Sequence, residues 1–325
     1  LGLFGKVDIQ ADYFTEYRSN ILMDRAQVPA SMGLQSPIRA NVGEASSKGF
    51  EMSLDYKDNI TNDFFVAVRA NFSFATSKYE VFEELDYVSA GLPWRSRIGL
   101  NLSQPFGYIA ERLFIDEADI ANSPIQTFGD YMAGDIKYKD INNDGIIDIN
   151  DEVPIGYPTT PEIIYGFGTS ASYRNFDFSF FFQGSARSSF FVDAYNTSPF
   201  IDTSGSAIGN NALLSAWAND HWSENDRNLY ASWPRLSDQL IDNNNRNSTW
   251  WLRDGAFLRL KSIEFGYSFA DKLTEKLGFS AGRVYVSGTN LLTFSKFKLW
   301  DIEMGGNGLG YPIQKGANLG LNINF

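Results

Sequence analysis

The sequence predicts an all-β protein of about ten antiparallel strands that form part of a transmembrane β-barrel with long loops on one side. Three observations carry this. Apolar and small polar residues alternate with period two in segment after segment, tight turns alternate with long connections, and the last strand closes on an aromatic residue. No apolar run approaches the roughly 20 residues that a spanning helix needs. A slightly polar mean hydropathy does not count against a barrel, whose lipid-facing residues occupy only every second position.

The strands are expected at 5–18, 47–57, 62–78, 95–102, 107–115, 162–174, 176–188, 256–269, 282–294 and 316–325, with no helices between them. The clearest places Ile163, Tyr165, Phe167, Thr169, Ala171 and Tyr173 on one face, and Ile164, Gly166, Gly168, Ser170, Ser172 and Arg174 on the other. After a tight turn at Arg174 and Asn175, Phe176, Phe178, Phe180 and Phe182 alternate with Asp177, Ser179, Phe181 and Gln183, as in a hairpin. Connections at 58–61, 103–106, 174–176 and 270–281 are short, whereas those at 19–46, 79–94, 116–161, 189–255 and 295–315 are long. Outer-membrane barrels have this asymmetry of periplasmic turns and extracellular loops, so 116–161 and 189–255 are expected as extracellular loops.

In the strand at 256–269, Phe265, Tyr267 and Phe269 sit where an interfacial aromatic girdle belongs. Arg259 and Lys261 lie in phase with those rings, which demands either a bulge or emergence from the membrane. In the last strand Leu319, Leu321, Ile323 and Phe325 alternate with Asn318, Gly320, Asn322 and Asn324. That pattern resembles the terminal assembly signal of outer-membrane barrels. Leu1 to Lys6 has no signal-peptide pattern, as expected of a processed or partial chain or of one that is not exported.

Of the 325 residues, 43% are apolar and 15% aromatic. The absence of cysteine excludes disulfides, thiolate metal sites and a cysteine nucleophile, and His221 is the only imidazole. A formal net charge of −12 argues against nucleic acid or anionic lipid as a partner, since phosphates need a clustered basic surface.

One motif carries definite chemistry. From Asp140 to Asp151, oxygen side chains fall at loop positions 1, 3, 5, 9 and 12, with Gly145 at position 6 for the sharp turn. Asp140, Asn142, Asp144 and Asp151 are expected to ligate calcium through side chains, Ile146 through its carbonyl, and Asp148 through water. Aspartate at the last position resembles dockerin-like loops more than helix-flanked EF-hands. A structural calcium ion is the expected cofactor.

No constellation points to catalysis. His221 stands in a loop beside Asp220 and Ser223, and the pairs Glu83–Glu84 and Asp151–Glu152 are sequence neighbours whose side chains diverge in extended chain. There is no nucleophile elbow, phosphate loop or zinc spacing. Trp217, Trp222, Trp233, Trp250 and Trp251 serve either to stack on sugars or, as favoured here, to pack the loops together.

Several blocks together resemble the C-terminal region of SusC/RagA-type TonB-dependent transporters. They are Gly134 to Asp148, Ile155-Gly156, Pro161 to Phe167, Trp217 with His221 to Asn225, Trp233 to Leu236, Trp251 to Ile263, Gly266-Tyr267, Arg283 to Leu291, and Tyr311-Pro312. Asp301-Ile302-Glu303 departs from the family pattern, which often has proline between the acids, and no plug domain or TonB-contacting box is present. The resemblance implies the C-terminal part of a large barrel of about 22 strands in the bacterial outer membrane. It further implies import of oligosaccharides or peptides, a SusD-like surface lipoprotein as lid, coupling to the TonB complex through a plug outside this chain, and no enzymatic activity. An open sheet exposes unpaired edges to lipid, so the remaining barrel strands must come from elsewhere. Two alternatives stand beside import: a transporter-like barrel acting in assembly of an outer-membrane complex, and a barrel enzyme with its site in the loops.

Overall fold

The computed structural model describes residues 2–26, 28, 30–33, 36, 38–200, 213–308 and 310–325. Nine strands form one antiparallel sheet in sequence order: β1 (Gly2–Leu3), β2 (Val7–Asp24), β3 (Arg39–Thr61), β4 (Phe64–Val81), β5 (Ile163–Tyr173), β6 (Phe176–Ala186), β7 (Phe257–Ser268), β8 (Ala281–Ser295) and β9 (Gly316–Asn324). Each strand pairs with its predecessor and successor, the topology of a barrel wall unrolled.

The two-faced pattern becomes two surfaces. On one face Tyr13 pairs with Phe50, Phe50 with Phe74 and Phe74 with Ile163. Farther along, Phe178 pairs with Phe265, Phe265 with Val286 and Val286 with Leu319. Phe50, Phe178, Phe265, Val286 and Leu319 are all exposed, an apolar belt with no protein layer over it. The other face carries Gly166, Gly168, Ser170, Asp177, Ser179, Glu264 and Arg283. Phe181 breaks the pattern there and lies across Gly168, where an added Cβ would stand 2.8 Å from the Phe181 ring and 2.4 Å from the Phe180 carbonyl oxygen.

Eight of the ten expected strands are present, and β2, β3 and β4 run longer than expected, well past the 9–11 residues that cross a bilayer. The segments 95–102 and 107–115 are not wall strands. The first begins as a 3-10 turn, Pro93–Arg95, and meets the sheet through a parallel bridge between Ile98 and Tyr79. The second forms the short strands Phe106–Gly107 and Ala110–Leu113, which pair with Val153–Pro154 and Ile136–Tyr138 inside the loops. Alternation reports a strand with two different faces but not whether its apolar face meets lipid or protein, and here Tyr108 and Leu113 are buried in protein. The two segments drop out as a pair, so every long connection still leaves from the same end of the sheet.

Helices, unforeseen in the sequence, occur as short pieces outside the sheet: Glu117–Ala121, Ala194–Thr197, Ser215–Asn219 and Asp271–Leu277. The last fills the connection between β7 and β8 and ends on Gly278 in the left-handed region at φ 81°. The irregularity required by Arg259 and Lys261 is a bulge: the register skips Lys261 against both β6 and β8. The skip returns Arg259 to the polar face, where it pairs with Gln183 and Thr293.

Candidate functional site

The chain's core lies in its connections. Leu113, Ile136, Tyr138, Trp217, Trp233 and Trp251 are almost wholly buried and come from two separate connections, 82–162 and 187–256. Trp233 stands at the centre, its ring 4.8 Å from Trp217 and 4.9 Å from Trp251. Trp222 is buried with them, so these indoles pack loop on loop as favoured from the sequence.

A buried amide network locks the same block. Gln126 Nε2 donates to Asn243 Oδ1 at 2.5 Å and to the Ile136 carbonyl at 3.0 Å, while its own oxygen accepts from Tyr138 N at 2.7 Å. Asn244 accepts from Ile136 N at 2.8 Å and donates to Asp135 at 2.8 Å, and its carbonyl accepts from Trp251 Nε1 at 2.8 Å. Loops distant in sequence thereby satisfy each other's buried polar groups. Burial pushes the Asp135 carboxyl above the usual carboxylate range despite Arg235 at 2.8 Å, and pushes the Tyr108 phenol up to about 12. Asp119 moves the opposite way: bidentate contact with Arg112 at 2.6 and 2.9 Å holds its carboxyl well below its ordinary value.

Arg259 joins the wall to the loops. Its side chain is 1% exposed and forms ion pairs of 2.7 Å with both Asp301 and Glu303. The sequence pattern noticed the acids and the basic strand residue separately; only the fold pairs them. Below, on the polar face, Arg283 bridges Asp177 and Glu264. Arg69, Gly168, Ser170, Ser179, Phe181 and Ser262 line a trough of about 920 Å³.

In the expected calcium loop, Gly145 has φ 84°, as its position-6 role requires. Asp140 accepts from Asn143 N at 2.6 Å and Gly145 N at 2.8 Å, Asn142 Oδ1 from Asp144 N at 3.0 Å, and Asp144 from Ile146 N at 2.8 Å. Asp148 caps the turn through Asn150 N at 2.7 Å, and buried Asp151 accepts from Ile141 N at 2.8 Å and Asp148 N at 2.9 Å. The carboxylates of Asp140 and Asp144 each use one lone pair per oxygen in these bonds, whereas Asp151 Oδ1 accepts from both Ile141 N and Asn142 N. Among the described residues no three acidic or imidazole side chains are gathered closely enough to hold a metal ion.

The acid and imidazole residues weighed for catalysis are dispersed. His221 Nδ1 is 2.8 Å from the Trp217 carbonyl oxygen, closing the helix that carries that indole. Glu83 pairs with Arg25 at 2.8 Å while Glu84 binds Ser96 and Arg97 N; Glu152 pairs with Arg95 at 2.8 Å, away from Asp151. Both pairs diverge, the first in irregular chain after β4 and the second where Asp151 closes the 3-10 turn Ile149–Asp151 and is not in extended chain.

No family model matches the chain. It is similar to TonB-dependent receptor P26 of Formosa agariphila, 27% identical over 360 residues, covering 99% of this chain and 33% of the relative. It is also similar to TonB-dependent receptor SusC of Bacteroides thetaiotaomicron, 25% identical over 319 residues, covering 95% of this chain and 29% of that protein. The chain thus spans about a third of the length of the curated relatives it matches. In fold it is similar to the RagAB peptide importer in its open-open state, with a TM-score of 0.66 at 20% identity, over 99% of this chain and 33% of that one. The closed-closed state gives 0.64 at 22% identity, over 98% of this chain and 34% of that one.

Proposed function

Starting from a chain that is similar from end to end to SusC/RagA-type TonB-dependent receptors and builds a section of an outer-membrane β-barrel wall, we propose that it serves active import of large nutrients. The nutrients are oligosaccharides or peptides. The wall encloses their path, the fused loop block forms the outer vestibule, and a SusD-like lipoprotein closes over that block. Energy arrives from the TonB complex through a plug domain outside this chain.

The observation that carries this reading is the joining of an exposed apolar belt on one face to a polar trough on the other, under loops with a core of their own. A wall needs the first two, and a docking platform for a lid needs the third to be rigid. Binding and gating are the chemistry; no bond is made.

The test is uptake by cells producing the full-length protein, with affinity purification alongside. Import is expected to be lost when the protein is absent, and a lipoprotein is expected to co-purify in mild detergent. Recovery of the intact barrel alone would overturn the lid, and undiminished growth on every oligosaccharide and peptide source without the protein would overturn import.

We also propose that calcium binds the loop from Asp140 to Asp151 and stabilises it, through Asp140, Asn142, Asp144, the Ile146 carbonyl and Asp151, with Asp148 reaching through water. The support is the donor spacing and the turn at Gly145. At a hundredfold excess over its dissociation constant the ion would stabilise the folded loop by about 2.7 kcal/mol. Melting with calcium against chelator should separate wild type but not Asp140→Ala; a calorimetric titration without heat would end the proposal.

A further inference from the structure

We infer that a recess on the apolar side of the wall, just above the lipid belt, holds the phosphorylated headgroup of an outer-leaflet lipid. The inference rests on the proposed orientation, long loops outward. The residues in question are those in phase with the belt. Thr15 pairs with Lys48 and Lys48 with Thr76, one step beyond the Tyr13, Phe50 and Phe74 row on the same face. At about 3.3 Å per residue, Lys48 stands about 7 Å above Phe50, at headgroup depth if the Phe row marks the hydrocarbon edge.

Here the wall is overhung by loop. Tyr157 and neighbouring chain, with Arg187 at the top of β6, close a recess of about 440 Å³ over Lys48, Thr76 and Lys78. Arg187 is held between two rings, its guanidinium carbon 5.8 Å from the Phe74 centroid and 5.4 Å from that of Tyr157. Its Nε donates to Glu162 at 2.7 Å. Glu162, 5% exposed, is occupied further by Thr76 and Asn101. Lys78 pairs with Glu80 at 3.0 Å. Lys48 has no carboxylate partner among the described residues.

A formal net charge of −12 argues against anionic lipid for the molecule as a whole. The recess is a local exception, with three cations to two carboxylates and with hydroxyls of Thr15 and Thr76 beside them. Water would satisfy such a cluster anywhere on the surface. Its position against lipid selects a ligand whose anionic head sits directly above an acyl tail, and continuity with the belt lets that tail lie on Phe50 and Phe74. A phosphate-bearing glycolipid has that shape and charge.

The test uses the full-length protein in neutral detergent and native mass spectrometry. The probes are a bis-phosphorylated lipid A, its dephosphorylated form and inorganic phosphate. The phosphorylated glycolipid is expected to be retained about tenfold better than the dephosphorylated one, and Lys48→Glu to abolish that preference. Lys298→Glu, the same charge change elsewhere on the exposed surface, should leave it intact, and millimolar inorganic phosphate should not displace the lipid. Equal retention of the two glycolipids, unchanged retention in Lys48→Glu, equal loss in Lys298→Glu, or displacement by free phosphate would each overturn the inference. Orientation is read separately: Lys48→Cys, in a stretch with no native cysteine, should take up an impermeant thiol reagent on intact cells beyond the wild-type background. Labelling without lipid preference sinks the lipid site alone; no labelling sinks the orientation and the site with it.

Discussion

Asp119 and Asp135 have the same side chain and opposite electrostatics, because one lies in the fork of Arg112 and the other is taken out of water. For Asp119 the folded-state value is depressed. Its pairing therefore contributes stability in full above the ordinary aspartate pKa of about 3.9 and loses it as pH falls through the folded value. Asp119→Asn is expected to melt earlier than wild type at neutral pH, with the gap closing only below about pH 4. Melting curves of the loop block at several pH values check this, and a gap that persists unchanged in acid would refute the assignment to charge. Asn244 shows a neutral residue under the same constraint. Its side chain satisfies Ile136 N and Asp135 together, so replacing it strands two groups that cost about 1–3 kcal/mol each when buried unpaired, while its backbone carbonyl keeps the bond from Trp251 Nε1.

At the scale of the strand, what matters is which face a residue occupies. Phe178 and Ser179 are adjacent on β6, yet Phe178 stands in the apolar belt opposite Phe265 and Ser179 lines the polar trough opposite Glu264. Phe178→Arg puts a charge on the lipid face, at a cost that rises with depth in the bilayer toward about 2–4 kcal/mol, whereas Ser179→Arg is placed among water and polar groups beside Glu264. Comparing the fraction of compact barrel on unheated gels should show Phe178→Arg depleted and Ser179→Arg near wild type. Equal loss from both would mean that the sheet is not bordered by lipid on one side. The bulge at Lys261 belongs to this scale too. One extra residue turns Arg259 from the belt to the polar side, where Asp301 and Glu303 neutralise it; without the skip, a guanidinium would face hydrocarbon. A charge in phase with aromatics was enough to foresee the irregularity from sequence. Its partners were not foreseeable, because they lie some forty positions on in a loop.

The whole molecule consists of two kinds of structure with different sources of stability: a wall held by ladders of backbone hydrogen bonds, and a loop block held by an aromatic core. Trp251 belongs to the second, 1% exposed against Trp233. Trp251→Ala is expected to remove about 3–5 kcal/mol from that block alone. Limited proteolysis of the full-length protein should then cut within 82–162 and 213–256 while the compact barrel survives. Loss of the barrel together with the loops would show a single cooperative unit.

Period-two alternation and the contrast of short and long connections determine, from sequence alone, that the chain is a two-faced antiparallel sheet with its loops at one end. These are local consequences of pleat geometry, and each strand carries its own copy of the signal. The sequence did not separate the pair at 95–102 and 107–115 from wall strands, because alternation is the same whether the apolar face meets lipid or Trp-lined protein. Tertiary structure alone decided that the loops share one core, that Arg259 meets Asp301 and Glu303, and that Lys48, Lys78 and Arg187 border one recess. Those contacts join residues far apart in the chain through packing and ion pairing, whose strength depends on burial and distance in space, and neither quantity is written in the spacing of residues along a strand.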